Sequence, residues 1–126
     1  MRTGGAPAWL ALALAMGCAA GRPEAAAPGA GPALSPDEQS ALMHDEETIR
    51  RAERDLYTPA AAPSAPDCAR ACDLVGVICT LGRRICTIAD RHPDAAELGR
   101  RCAEDRERCD RARKHAAAAG CTSCPG

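Results

Sequence analysis

The sequence is poor in the large apolar side chains from which most small domains build a core. It has no phenylalanine, one tryptophan and one tyrosine among 126 residues. Hydrophobic types make up 46% of the chain, but 29 of those residues are alanine and nine are cysteine. Beyond Cys18 only fourteen Leu, Ile, Val, Met and Tyr residues remain. That is too few for a self-sufficient core at this length, so the fold needs covalent cross-links or a second chain.

An excess of positive charge is missing as well. The formal net charge is -1 at pH 7, and aromatic residues make up 2% of the chain. Nucleic-acid-binding domains need a positive surface and aromatic rings that stack on bases, so this class is excluded. The length allows one small domain with a tether.

The N-terminal residues have the organisation of an export signal. Arg2 precedes an apolar run over residues 9–16, which ends in Gly17 and Cys18. A membrane-spanning helix needs about 20 apolar residues, which is more than this run offers. The pattern predicts a signal peptide rather than an uncleaved anchor.

Residues 14–18, Leu-Ala-Met-Gly-Cys, resemble the lipobox of bacterial lipoproteins, although Ala15 stands where leucine is usual. The resemblance implies a signal peptide over residues 1–17 and a diacylated Cys18 that anchors the protein in a membrane. Ordinary secretion after the preceding Ala-Leu-Ala sequence stays open. Lipid on Cys18 leaves eight cysteines, an even set for disulfides. Ala19 lacks the aspartate that retains lipoproteins at the inner membrane, which implies the outer membrane, facing the periplasm or the cell surface.

A helix between two linkers is predicted in the first half of the chain. Residues 18–33 are rich in Ala, Gly and Pro and form a flexible tether. Residues 35–38, Ser-Pro-Asp-Glu, combine an N-cap, a proline at the first helical position and a capping-box glutamate, so we expect a helix over 34–57. Its composition is acidic, and its apolar face is thin: Leu42, Ile49 and Leu56. These features favour a solvated arm, and an Ala/Pro linker over 58–66 follows it.

The remaining cysteines lie in residues 67–126 at helical spacing. They are Cys68, Cys72, Cys79, Cys86, Cys102, Cys109, Cys121 and Cys124. Residues four or seven apart lie on one helical face, and the sequence His-Pro-Asp at 92–94 breaks the chain between the two runs. We therefore predict an all-α fold in which a disulfide-stapled antiparallel helical hairpin, with helices at about 67–91 and 94–119, follows the separate N-terminal helix.

The middle cysteines set the register of this hairpin. In an antiparallel helix pair, the numbers of level residues have a constant sum. Cys86 with Cys102 and Cys79 with Cys109 both give 188, so these pairs are predicted disulfides.

The outer cysteines leave two pairings open. Nested pairing joins Cys72 to Cys121 and Cys68 to Cys124, and we favour it from the logic of a hairpin. Pairing Cys68 with Cys121 instead fits the register sum more closely.

A disulfide holds two Cα atoms about 4.4–6.8 Å apart, so the seam between the helices needs small residues. It has them: Gly82, Ala89, Ala95, Ala112, Ala116 and Ala119. The same register places Asp105 level with Arg83, which predicts a surface ion pair.

An aliphatic stripe runs along the first hairpin helix, about 110° around from the cysteines. It consists of Leu74, Ile78, Leu81, Ile85 and Ile88. The second hairpin helix cannot cover it. We expect the helix at 34–57 to fold back onto it, and a dimer or partner-protein interface is the alternative.

Other chemistries are less well supported. Cys68 and Cys72 on one helical face could hold Cu(I), and in this the segment resembles helical-bundle copper-storage proteins. The Cys-x2-Cys spacing at Cys121 and Cys124 is that of redox motifs, but it does not open a helix whose dipole would lower a thiol pKa. The histidines are scattered, and we expect them at the surface: His44, His92 and His115. No catalytic residue, metal ligand or cofactor is assigned.

Taken whole, the chain resembles uncharacterised cysteine-rich lipoproteins of Gram-negative bacteria, which implies no activity. We expect a non-enzymatic, membrane-anchored envelope lipoprotein with a structural or protein-interaction role. The alternative is a periplasmic cysteine-rich protein that binds copper or zinc. The expected partners are the membrane, through the lipid, and a partner protein or a second copy.

Overall fold

Three helices form the fold. The computed structural model describes residues 33–59 and 66–124, in which α1 spans Pro36–Tyr57, α2 Cys68–Arg91 and α3 Ala96–Ala118. The described part of the chain contains no strand. The predicted all-α hairpin preceded by an N-terminal helix is therefore confirmed. None of these helices is long and apolar enough to cross a membrane.

The first helix begins where the capping box predicts. The Glu38 amide donates to the Ser35 hydroxyl at 3.2 Å, and the Ser35 amide donates to the Glu38 carboxylate at 3.0 Å. Both groups would otherwise lack partners at a helix start. The helix ends at Thr58, which has an extended backbone and precedes Pro59.

The hairpin helices differ in how they begin. Asp67 caps α2 by accepting a hydrogen bond from the Arg70 amide at 3.0 Å. The cap of α3 is Ala95, whose side chain can accept no hydrogen bond, and the helix begins at Ala96, two residues later than predicted. At its far end Gly120, at φ 91°, reverses the chain. Glycine suits this left-handed conformation.

The two middle disulfides are those that the register sum predicts. Cys86 bonds to Cys102 with Cα atoms 4.6 Å apart, and Cys79 bonds to Cys109 with Cα atoms 4.7 Å apart. These distances bring the backbones of α2 and α3 closer than bulky side chains would allow.

The preferred nested pairing of the outer cysteines is wrong. Cys68 bonds to Cys121 and Cys72 bonds to Cys124. The reason lies in the reversal after α3, where the Cys121 amide donates to the Ala116 carbonyl at 2.9 Å. This bond holds Cys121 level with the start of α2, and the following residues run along α2 in its own direction.

The seam is lined by small residues, as predicted, with one exception. Four of the six are buried, Ala95 is half-buried and Ala119 is exposed beyond the end of α3. The buried four are Gly82, Ala89, Ala112 and Ala116.

The helix α1 packs against the hairpin, so the solvated arm expected from its composition is wrong. Leu42, Ile49, Ala52 and Leu56 are buried, and they belong to the same core cluster as the aliphatic residues of α2. Burial of such side chains stabilises a fold by about 1.5–3 kcal/mol each. This gain requires a second apolar surface. The thin apolar face of α1 is enough to hold α1 on the hairpin only because α2 offers a matching stripe.

Candidate interaction surface

The aliphatic stripe of α2 lies beneath α1. Ile78 and Ile85 are fully buried, Ile88 is nearly so, and Leu74 and Leu81 are partly buried against the same cluster. Of the two covers considered for the stripe, the structure has the N-terminal helix. The exposed apolar surface that would mark a free docking face is therefore absent from α2 in this conformation.

Ion pairs define how α1 lies on α2. Arg91 donates to Glu38 at 3.1 Å, and the Arg84 Nε lies 3.3 Å from the Asp45 carboxylate. The residue numbers in both pairs sum to 129. A constant sum indicates an antiparallel arrangement, so α1 runs against α2.

A second set of ion pairs joins α1 to α3. Arg101 donates to Glu46 at 2.6 Å, and the Arg108 Nε lies 3.8 Å from Glu53. The numbers in both pairs differ by 55. A constant difference indicates that α1 runs parallel to α3.

Together these pairs show that the surface on which α1 lies has a regular charge pattern. We name its four arginines, two on each hairpin helix and seven residues apart, the arginine rows: Arg84 and Arg91 on α2, Arg101 and Arg108 on α3. Four carboxylates of α1, also in two sets spaced by seven, face them: Glu38 and Asp45, Glu46 and Glu53. An apolar strip flanked by charges at heptad spacing is the recognition pattern of coiled coils.

Asp45 lies within the apolar face of α1. Its side chain is 1% exposed, whereas that of its ion-pair partner Arg84 is 57% exposed. Neither carboxylate oxygen of Asp45 accepts a hydrogen bond from any residue in the described ranges. Burial removes the hydration of this carboxylate, and the ion pair with Arg84 opposes that cost.

Glu38 joins the start of α1 to the end of α2. Besides closing the capping box, its carboxylate lies 3.2 Å from His92 Nε2 and accepts a hydrogen bond from Arg91. The Ser35 amide, then His92 and Arg91, lower the pKa of Glu38 to about 2. The expectation that all three histidines lie at the surface is wrong for His92, whose side chain is 12% exposed.

Asp105 is buried in the seam between the hairpin helices. It is 2% exposed, packs against Gly82, and accepts a hydrogen bond from Arg108 at 3.0 Å. The predicted ion pair with Arg83 is wrong, since Arg83 donates to Thr80 on its own helix. Burial raises the pKa of Asp105, against the opposing effect of Arg108.

The other predicted site residues fall into two groups. All eight hairpin cysteines form disulfides, which leaves no thiolate ligand among residues 66–124. Within the described ranges no cluster of His, Cys, Asp and Glu is arranged to hold a metal ion. The predicted lipidation site, Cys18, and the signal peptide lie outside the described residues.

The sequence reasoning missed the arginine rows and the buried Asp45. Heptad spacing of Arg84 with Arg91 and of Arg101 with Arg108 is visible in the sequence. It becomes informative only once α1 is known to form ion pairs with both α2 and α3.

Comparison with known proteins gives no relative. No protein family, curated protein or solved structure matches this chain.

Proposed function

We propose that this chain is a non-enzymatic envelope lipoprotein whose disulfide-stapled helical module has a structural or protein-interaction role. The observation that carries the proposal is the pairing of all eight cysteines in residues 66–124 as disulfides. Such bonds persist in oxidising compartments outside the cytosol. The ninth cysteine, Cys18, stands in a lipobox-like sequence, where a lipid would occupy its thiol.

A non-enzymatic role fits the arrangement of the titratable groups in the interior of the fold. The buried carboxylates Asp45 and Asp105 and the partly buried His92 contact structural partners: Asp45 and His92 lie where α1 meets α2, and Asp105 lies between α2 and α3. None of these partners includes a serine or cysteine nucleophile. The module instead offers disulfide-linked helices after the tether that the sequence predicts over residues 18–33, which suits a presented or spacer domain.

Membrane partitioning tests the anchor. The wild-type protein should fractionate with membranes, whereas Cys18→Ser should be soluble, because the acyl chains supply the attachment. Ala20→Ser is the matched control, since it alters a neighbouring tether residue without removing the lipidated thiol, and it should remain with the membrane. Equal partitioning of wild type and Cys18→Ser would refute the anchor.

A count of free thiols in a variant that lacks Cys18 tests the disulfide module. Aerobically purified Cys18→Ser protein should contain close to zero free thiols. Several free thiols, together with copper or zinc bound in stoichiometric amounts, would favour the alternative of a metal-binding protein.

A further inference from the structure

No covalent bond other than the backbone holds α1 to the hairpin. The four disulfides lie within residues 68–124 and join α2 to α3 and to the segment after α3. The helix α1 contains no cysteine. It is connected to α2 by a linker over residues 58–66 that includes three prolines. Noncovalent contacts alone therefore hold α1 on the hairpin, whereas disulfides keep α2 and α3 together.

The surface that α1 covers is specific for a helix of its own chemistry. Its apolar stripe and flanking arginine rows match the apolar face and heptad-spaced carboxylates of α1. A lone helix of this length is only marginally stable in water, so a released α1 gains from another surface of the same kind. The hairpin of a second copy offers an identical one.

Release of α1 restores the hydration of the buried Asp45. Its carboxylate is desolvated beside Ile49 and Leu42 on α1, with Arg84 as its ion-pair partner. Undocking returns this carboxylate to water, which offsets part of the cost of exposing the aliphatic stripe.

We propose that α1 is exchanged between two copies of this protein. The α1 of the first copy lies on the stripe and arginine rows of the second, and the α1 of the second copy lies on those of the first. Reciprocal exchange keeps every contact of the closed form, so its equilibrium depends on the linker and on the local concentration of copies. The inference rests on the proposed function, because lipid anchors in one membrane would hold copies close together. Exchange would then join neighbouring copies, which is a structural role.

The test uses charge reversal on the mature, soluble chain carrying Cys18→Ser, so that its outcome does not depend on lipidation. One variant has Glu46→Arg with Glu53→Arg, and the other has Arg101→Glu with Arg108→Glu. Each variant alone places like charges between α1 and α3, in the closed form and in a homodimer. A mixed dimer with reciprocal exchange pairs every one of these positions with an opposite charge.

Two further substitutions complete the design. Both variants carry Asp105→Asn, so that Arg108→Glu leaves no charged aspartate unpaired in the seam. The control reverses an ion pair internal to α1, Glu47→Arg with Arg54→Glu, which does not face the hairpin.

Native mass spectrometry and sedimentation velocity, from micromolar to millimolar protein, give the result. Wild type and the control should form dimers at the upper concentrations. Each charge-reversed variant alone gains nothing by exchange, because like charges meet in its closed form and in its homodimer. Mixing the two variants should give dimers of mixed mass that are at least about tenfold more abundant than the dimers of either variant alone, because only the mixed dimer has opposite charges at all of these positions. A wild type that stays monomeric throughout, or a mixture that forms no more dimer than either variant alone, would overturn the exchange. None of these outcomes bears on whether Cys18 is lipidated.

Discussion

Gly82 on α2 faces Asp105 on α3 so closely that a Cβ atom at Gly82 would lie 3.1 Å from the Cβ of Asp105 and 3.4 Å from its carbonyl oxygen. The contact is with backbone as well as side chain, and it lies between the disulfides at Cys79 and Cys86. The helices therefore cannot move apart freely to admit a methyl group.

Gly82→Ala should destabilise the protein despite the better helix propensity of alanine. Overpacking costs about 1–3 kcal/mol, which exceeds the gain of up to about 1 kcal/mol from propensity. Gly76→Ala and Gly99→Ala are matched controls, because nothing lies within 4 Å of an added Cβ at either position. Both controls should be neutral or stabilising in urea unfolding of the oxidised protein. A Gly82→Ala variant as stable as these controls would contradict the close seam.

Asp105→Asn should stabilise the protein at pH 7, by about 1 kcal/mol, because it removes a charge from a buried site. The folded-state pKa of Asp105 lies above its ordinary value of 3.8. Its contribution to stability is thus fully present below pH 3.8 and is lost as the pH rises through the folded value. The advantage of Asp105→Asn should accordingly shrink as the pH falls toward 3.8. Thermal unfolding across this range measures it, with Asp110→Asn, at an exposed position of the same helix, as the control.

Glu38→Gln should have the opposite pH dependence. The folded pKa of Glu38 is about 2, against an ordinary value of 4.5. Its stabilising effect is therefore present above pH 4.5 and is lost as the pH falls through about 2. Glu38→Gln should be less stable than wild type at pH 7, and the two should converge near pH 2. Glu47→Gln is the control, since its partners Arg50 and Arg54 both lie on α1, and it should leave the docking of α1 unchanged.

Ile49→Ala should lower the free energy of unfolding by about 2–5 kcal/mol, because the side chain is 0% exposed between α1 and the hairpin. Met43→Ala on the same helix removes a side chain that is 71% exposed, so it should change stability by less than about 0.5 kcal/mol. Equal effects of the two substitutions in chemical denaturation would show that α1 does not lie on the stripe.

The outer disulfides can be tested by peptide mapping under non-reducing conditions. We expect Cys68 linked to Cys121 and Cys72 linked to Cys124. The chain between Cys121 and Cys124 has no site for trypsin, so the assignment needs fragmentation of the linked peptides in the mass spectrometer. Recovery of Cys68 linked to Cys124 would restore the nested pairing.

The hairpin could be predicted because its determinants are local and periodic. Heptad-spaced cysteines define which helix faces meet, and the constant sum for Cys79 and Cys86 with their partners leaves a single register. The outer pairing depends instead on a hydrogen bond from Cys121 to Ala116 in an irregular segment, which no spacing reveals.

The place of α1 was predicted correctly from the stripe on α2 but not from the composition of α1 itself, because decisive residues of α1 are polar. Asp45 lies between Leu42 and Ile49 on the apolar face of α1, so the composition of α1 favours a solvated helix. The burial of α1 follows from the stripe on α2, which needs a cover. It can be inferred only when the sequences of both helices are considered together. Asp105 was misplaced for a related reason. A carboxylate on a helix with many charged residues is expected at the surface, and only the structure shows that Gly82 leaves room for it between the helices.

The disulfides enclose chain segments of increasing length around one turn. The bonded cysteines are 16, 30, 52 and 53 residues apart, and the shortest separation lies nearest to the His92 turn. The entropic cost of closing a loop rises with its length, and each closed bond shortens the free chain that the next must bring together. Oxidative folding should therefore proceed outward from Cys86 and Cys102, with the bonds to Cys121 and Cys124 forming last.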